Sequence, residues 1–192
     1  MSADAIMRTT VALAERLRAA LVAGKQPGSV FIGPLDDADA RGAALILMLY
    51  RMVPSATLRN CEHRIAPALD GPPIVYANAL PLDLYFLLTV GNSDGRDDKL
   101  LHVLGIAVQA LNDGPLLAGA EVAPDPVRLS MEPLSTEEIS RIWALFPTVN
   151  YRTSVAYLAT PVWVDPLQTP LASKEVLQDA PRFGQRPRGE HG

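Results

Sequence analysis

The chain has 192 residues, 48% of them apolar and 20% charged, with a formal net charge of −4. That balance describes a folded domain with a sizeable core and excludes a disordered, highly charged chain. Mild acidity without a lysine or arginine run excludes the basic footprint of a nucleic-acid binder, and the one cysteine, Cys61, excludes an internal disulfide and fits a reducing compartment.

Residues 4–23 predict an amphipathic helix. Ile6, Leu13, Leu17 and Leu21 share a face, while Arg8, Glu15 and Arg18 turn elsewhere. These charges, with Arg16, also interrupt any secretion-signal core. Gly24 and the Pro27-Gly28 pair end the helix. Val30-Phe31-Ile32 predicts a short strand. Asp36, Asp37 and Asp39 then stand where acidic side chains favour a helix N-terminus. The apolar run after them predicts a buried helix reaching Met52 and stopped by Pro54. Its most apolar part, Ala43 to Tyr50, is far shorter than the ~20 residues of a membrane span, so no membrane association is expected.

Thr57 to Ile65 predicts strand or extended chain. From Leu82 to Val90 the pattern has period two, with Leu82, Leu84, Phe86, Leu88 and Val90 on one face: a strand. After a glycine turn, Leu100, Val103, Leu104, Ala107, Val108 and Leu111 recur at helical spacing, closed by Asn112-Asp113-Gly114-Pro115. Leu116 to Pro126 reads as a connection and Val127 to Met131 as a strand. Ser135-Thr136-Glu137-Glu138 is a capping box. The helix it opens puts Ile139, Ile142, Trp143 and Phe146 on one stripe, and Pro147 ends it. Tyr151 to Asp165 is rich in strand formers. Pro161 within it cannot donate to a ladder, which predicts an edge strand or a bulge.

Beyond Pro170 the composition turns polar. The division expected is a domain over 1–170 and a polar C-terminal arm over 171–192, too poor in apolar surface to fold alone. No internal repeat and no regular β-α-β alternation is present. The fold class expected is therefore α+β, with helices packed on a mainly antiparallel sheet. Leu84, Phe86, Leu104, Leu111, Ile142 and Trp143 are its expected core.

Chemistry has three candidates. Gly91-Asn92-Ser93-Asp94-Gly95 fits the G-x-S-x-G nucleophile pattern, between a strand and a helix as that pattern requires. A triad would then need an acid and a histidine downstream. Only His102 and His191 follow; His102 lies in the helix the serine would open, and His191 is the penultimate residue. No oxyanion-type glycine run precedes the motif. A polar turn is the simpler reading, and a serine hydrolase using Ser93 stays as the remote alternative. Asn92, Asp94, Asp97 and Asp98 fail the EF-hand pattern, because its twelfth position falls on Val103; capping of the next helix suits Asp94 or Asp97. Cys61 and His63 offer two metal ligands where zinc takes three or four. No P-loop, G-x-G-x-x-G or H-E-x-x-H is present, so neither cofactor nor metal is expected. The aromatic residues Tyr85, Trp143, Tyr151, Tyr157 and Trp163 fit core or interface. A generic ligand-binding module also remains open.

Three stretches carry a resemblance. They are Leu45-Ile46-Leu47-Met48-Leu49-Tyr50-Arg51-Met52-Val53-Pro54 with Leu58-Arg59-Asn60; Pro81 to Gly91 with Leu100-Leu101-His102-Val103-Leu104-Gly105; and Met131-Glu132-Pro133-Leu134-Ser135 with Trp143-Ala144-Leu145-Phe146, Tyr151-Arg152 and Ser154-Val155-Ala156-Tyr157. In this order and spacing, over about residues 5–170, the chain resembles the tube-terminator, or cap, family of phage-tail-like contractile injection systems of the antifeeding-prophage type. The resemblance implies a tail-terminator-like fold and a structural role without catalysis. It implies a ring, expected to be a homo-hexamer, that stops the inner tube and meets the last sheath layer. Its partners would be itself, the inner tube protein and the sheath protein. It would assemble in the bacterial cytoplasm and then belong to the particle. A baseplate or sheath-associated adaptor of the same particle is the runner-up. The tail after residue 170 is short beside larger relatives. Candidate interface residues are Asn92, Asp94, Arg96 and Asp97 in the acidic loop, Tyr157 and Trp163 on the aromatic strand, and Arg182 and Arg186 on the arm.

Overall fold

The computed structural model describes residues 2–26, 28–66, 73–91, 97–120, 122 and 124–167. The first helix, α1 (Ala5–Ala23), buries Leu13, Leu17 and Leu21 on the face its periodicity assigns. Strand β1 (Val30–Ile32) follows. The three aspartates open only one turn of 3-10 helix, Ala38–Ala40, in which the Asp37 side chain accepts from the Asp39 N–H at 2.9 Å.

The expected helix through Met52 is instead a strand, β2 (Leu45–Pro54). Leu45 and Leu47 enter one core, and Ile46 and Met48 enter another on the opposite face of the sheet. A strand buried on both faces needs apolar residues at every position, so its run loses the alternation that identifies a half-exposed strand.

A small antiparallel hairpin, β3 (His63–Ile65) and β4 (Ile74–Tyr76), comes next. Then come β5 (Leu80–Val90), α2 (Asp97–Asp113), the two-residue β6 (Leu116–Leu117), β7 (Val127–Glu132), α3 (Thr136–Trp143) and β8 (Ser154–Val164). The main sheet has the order β1-β2-β5-β8-β7-β6, and only β1 against β2 is parallel. The expected α+β class with a mainly antiparallel sheet is the architecture found.

Helices α1 and α2 cover one face of this sheet. Leu13, Leu17, Leu104 and Leu111 meet Leu84, Phe86, Leu88 and Tyr157 there. On the other face, α3 and the turn after it bring Trp143, with Ile139, Ile142 and Phe146, onto Ile46, Met48 and Leu87. Of the expected core, Leu84, Phe86, Leu104, Leu111 and Trp143 are buried, while Ile142 is half-buried against the second cluster. Because β5 lies under both layers, Leu87 is as buried as Phe86, and Thr89 satisfies its hydroxyl by donating to the Thr153 carbonyl at 3.1 Å.

Pro161 does not mark an edge strand. β8 lies between β5 and β7, and Pro161 falls where its register against β5 shifts, between the pairs Leu82–Val162 and Leu84–Ala159. The bulge reading holds, and the β7 ladder stops at Thr160, so no neighbour there requires an N–H from Pro161.

Two local devices fix element ends. Gly91 closes β5 against the 43–44 backbone. Its N–H donates to the Ala44 carbonyl at 2.8 Å, and a Cβ on it would lie 1.7 Å from the Ala43 carbonyl oxygen. The first glycine of the serine-hydrolase pattern is thus required by close backbone approach. The capping box is formed as read: the Glu138 N–H donates to Ser135 Oγ at 3.2 Å and the Ser135 N–H donates to the Glu138 carboxylate at 2.8 Å.

Gly91→Ala should cost about 3 kcal/mol, because backbone rather than a side chain must move, and a denaturant titration would read this as a lower midpoint at unchanged slope. Ser135→Ala should lower Tm by ~2–4 °C near neutral pH. The Glu138 carboxyl is held below its ordinary range, first by the Ser135 backbone N–H and then by the Ser135 hydroxyl. This contribution is present above the ordinary carboxyl value and lost as pH falls through the lower folded value. The Tm gap between wild type and Ser135→Ala should therefore narrow in acid.

Candidate functional site

At the far end of the sheet the small hairpin folds against the end of β8. The His63 side chain is the joint, at 2% exposure. Its Nδ1 meets Asp165 Oδ1 at 2.5 Å, and its Nε2 makes a short contact with Asp125 Oδ2. The ring stacks on Trp163 with centroids 4.6 Å apart and planes 4° apart, and Tyr76 stacks at 6.1 Å. Three separate segments are held together: the hairpin, the loop before β7 and the chain leaving β8.

Chemically, this histidine is spent. A general base offers a nitrogen to substrate, and a metal ligand offers a lone pair. Both His63 nitrogens face carboxylate oxygens inside the fold. Cys61, beside it in sequence, is exposed and forms no cluster with it. Among the described residues no group of three or more His, Cys, Asp or Glu side chains is placed to hold a metal ion. His102 is exposed on α2. Ser93 lies outside the described residues.

The candidate interface residues separate in three ways. Asn92, Asp94, Arg96, Arg182 and Arg186 lie outside the described residues. Asp97 is the first residue of α2. Tyr157 and Trp163 both lie on β8, but neither presents an open aromatic surface. Tyr157 is 3% exposed in the helix-covered core, where burial pushes its phenol up. Its alternation with Ala156 and Leu158 puts it on the face that meets Phe86, which removes it from any surface contact in this conformation. Trp163 is half-buried because its ring covers His63. Asp125 and Asp165 were not legible as its companions: they lie 62 and 102 residues from His63, with no local motif to link them.

Two hollows flank the helix layer. One, about 460 Å³, lies beside the His63 joint and is lined by Arg8, Tyr76, Val122, Trp163 and Pro166 among others. The second, about 420 Å³, is an apolar groove between α1 and the β1 margin, lined by Met7, Val11, Ile32, Pro34 and Met48 among others. On the face shared with α3, Arg51 lies 4.9 Å from the Tyr85 ring centroid, and Tyr50 packs edge-on against Tyr85. Burial, then the charge of Glu132, pushes the Tyr50 phenol up.

His63→Ala should cost about 3 kcal/mol, because it removes the buried ring that joins Asp125 and Asp165 and uncovers Trp163. Chemical denaturation followed by tryptophan fluorescence would read both effects. His102→Ala, on an exposed helix face, should change stability by less than about 0.5 kcal/mol.

No curated protein sequence matches the chain. Among solved structures, it is similar to the sheath/tube terminator of the extracellular contractile injection system PVC in its extended state. That match has a TM-score of 0.63 and 18% identity, covering 96% of this chain and 65% of that one. It is also similar to the tube-terminating cap of the anti-feeding prophage, with a TM-score of 0.59 and 19% identity over 90% of this chain and 60% of that one. The chain thus spans a little under two thirds of each of these terminators. The Pvc16 N-terminal domain family matches residues 8–178, nearly the whole length, and the chain belongs to that family.

Proposed function

We propose that this chain is a structural cap that terminates the inner tube of a phage-tail-like contractile injection system. The observation that carries the reading is the shared fold with two tube terminators over 90% or more of this chain, joined to membership of the Pvc16 N-terminal domain family. The chain works without catalysis. The buried histidine has both nitrogens engaged, and the first glycine of the G-x-S-x-G pattern is required by packing. It assembles as a hexameric ring in the bacterial cytoplasm and then remains in the particle. One face of the ring matches the tube end, the other contacts the last sheath layer, and the second face does not accept another tube subunit. The arm over residues 171–192 and the loop over 91–98 lie at contacts or on the ring surface.

Deleting the chain should release tube length from control, visible by electron microscopy as a broad distribution of lengths. Normal lengths in the deletion strain would overturn the cap reading. Labelled chain found at the baseplate rather than at the tube end would assign it to the adaptor role instead.

A further inference from the structure

Among the described residues, both lateral margins of the main sheet carry backbone with no neighbouring strand. β1 covers only Leu45 to Leu47 of β2, so Met48 to Pro54 have no outer partner strand among the described residues. At the other margin β6 covers only Val127 and Arg128 of β7, and the Leu129 N–H donates to the Pro115 carbonyl at 2.6 Å. Ser130 to Glu132 are left without an outer strand among the described residues. An unpaired edge of this kind is a template for another strand.

The side chains at the two margins are complementary, face by face. Cross-strand partners share a face of a sheet. Met52 stands opposite Leu84, and Met131 stands opposite Tyr157. Both partners lie in the core under α1 and α2, so both methionines project on that side. They are 49% and 52% exposed, large apolar side chains at opposite margins. Arg51 stands opposite Tyr85, and Glu132 opposite Ala156, which in turn pairs with Leu87 of the α3-covered cluster. Arg51 and Glu132 therefore project on the other side. One margin offers a cation and a methionine, and the other an anion and a methionine, on the same two faces and in adjacent positions on each strand.

We propose that the sheet continues from copy to copy, with Arg51–Val53 of one copy pairing antiparallel to Ser130–Glu132 of the next. The register sets Arg51 opposite Glu132, Met52 opposite Met131 and Val53 opposite Ser130. One register satisfies the charge pair and the apolar pair together. Strand direction agrees: β2, β5, β8 and β7 alternate, so β7 runs opposite to β2. Within one copy Ser130 lies in line with Arg51, through Leu158 and Tyr85, and Glu132 in line with Met48, so this register advances each copy two residues along the strands and the strands of a closed ring tilt against its axis. The contact uses two different patches and is heterologous, as a closed ring requires. Prolines bound it, because Pro54 and Pro133 supply no N–H to extend the ladder. The inference rests on the ring proposed above and identifies the surfaces that join its subunits.

The test places cysteines at both methionines, Met52→Cys with Met131→Cys, in a Cys61→Ser background. Directly opposed residues in an antiparallel pair bring their Cβ atoms within disulfide reach. Mild oxidation of assembled particles should give a ladder of covalent multimers of this chain, while each single variant stays monomeric on denaturing gels. In parallel, Arg51→Glu and Glu132→Arg should each weaken assembly roughly tenfold, read by light scattering, and the double swap should restore it. Absence of the ladder, or a double swap no better than the singles, overturns the edge pairing. Its failure is separable from failure of the cap reading. Uncontrolled tube length in the deletion strain without a ladder leaves the cap and removes this junction; a ladder with normal tube length in that strain leaves the junction and removes the cap.

Discussion

Everything in this fold is arranged around two strands buried on both faces. β2 and β5 pair over nine residue positions, and the side chains of each enter one core under α1 and α2 and another under α3. Such strands tolerate no charge along their covered length and no displacement of one residue, since a slip exchanges the two sets of side chains. The helices can only take positions that cover these strands. The short parallel β1 extends the sheet beside β2, and Gly91 lets the end of β5 approach the 43–44 backbone. The remaining strands add to the other side of β5 through β8.

The same constraint separates framework from working surface. Where both layers cover the sheet, between residues 45 and 48 of β2 and 84 and 90 of β5, the chain is apolar at nearly every position. Toward Pro54 the cover thins, and arginine, methionine and tyrosine replace leucine. The His63 joint lies at this less covered end and holds the hairpin to the last residues of β8. With its ring stacked on Trp163 and both nitrogens on carboxylates, it fixes where the chain departs beyond Asp165. Rigid placement of surface segments suits the proposed cap, which must match one surface and leave another unmatched.

Much of the local structure was legible before any coordinates. The α1 stripe, the period-two face of β5, the α2 spacing and the Ser135–Glu138 box each show the periodicity or capping chemistry of the element they form. The exceptions share one cause. Ala43 to Tyr50 read as a helix because a doubly covered strand has lost its alternation. Pro161 left an edge and a bulge both open, because the bulge that accommodates it depends on the register with β5, a relation between segments far apart in the chain. Tyr157 suggested a contact surface because aromatic strand residues serve cores and interfaces alike, and only packing against Phe86 distinguishes the two.

The sequence by itself determined the composition class, most helix and strand identities and the helix cap. These rest on neighbours within a few residues, where backbone preference and side-chain period act directly. Only the tertiary structure decided that β2 is central, that His63 gathers Asp125 and Asp165, and that Met52 and Met131 share one face at opposite margins. Each of these depends on strand order and register, which are set by which apolar faces can be covered at once, and that choice belongs to the whole chain.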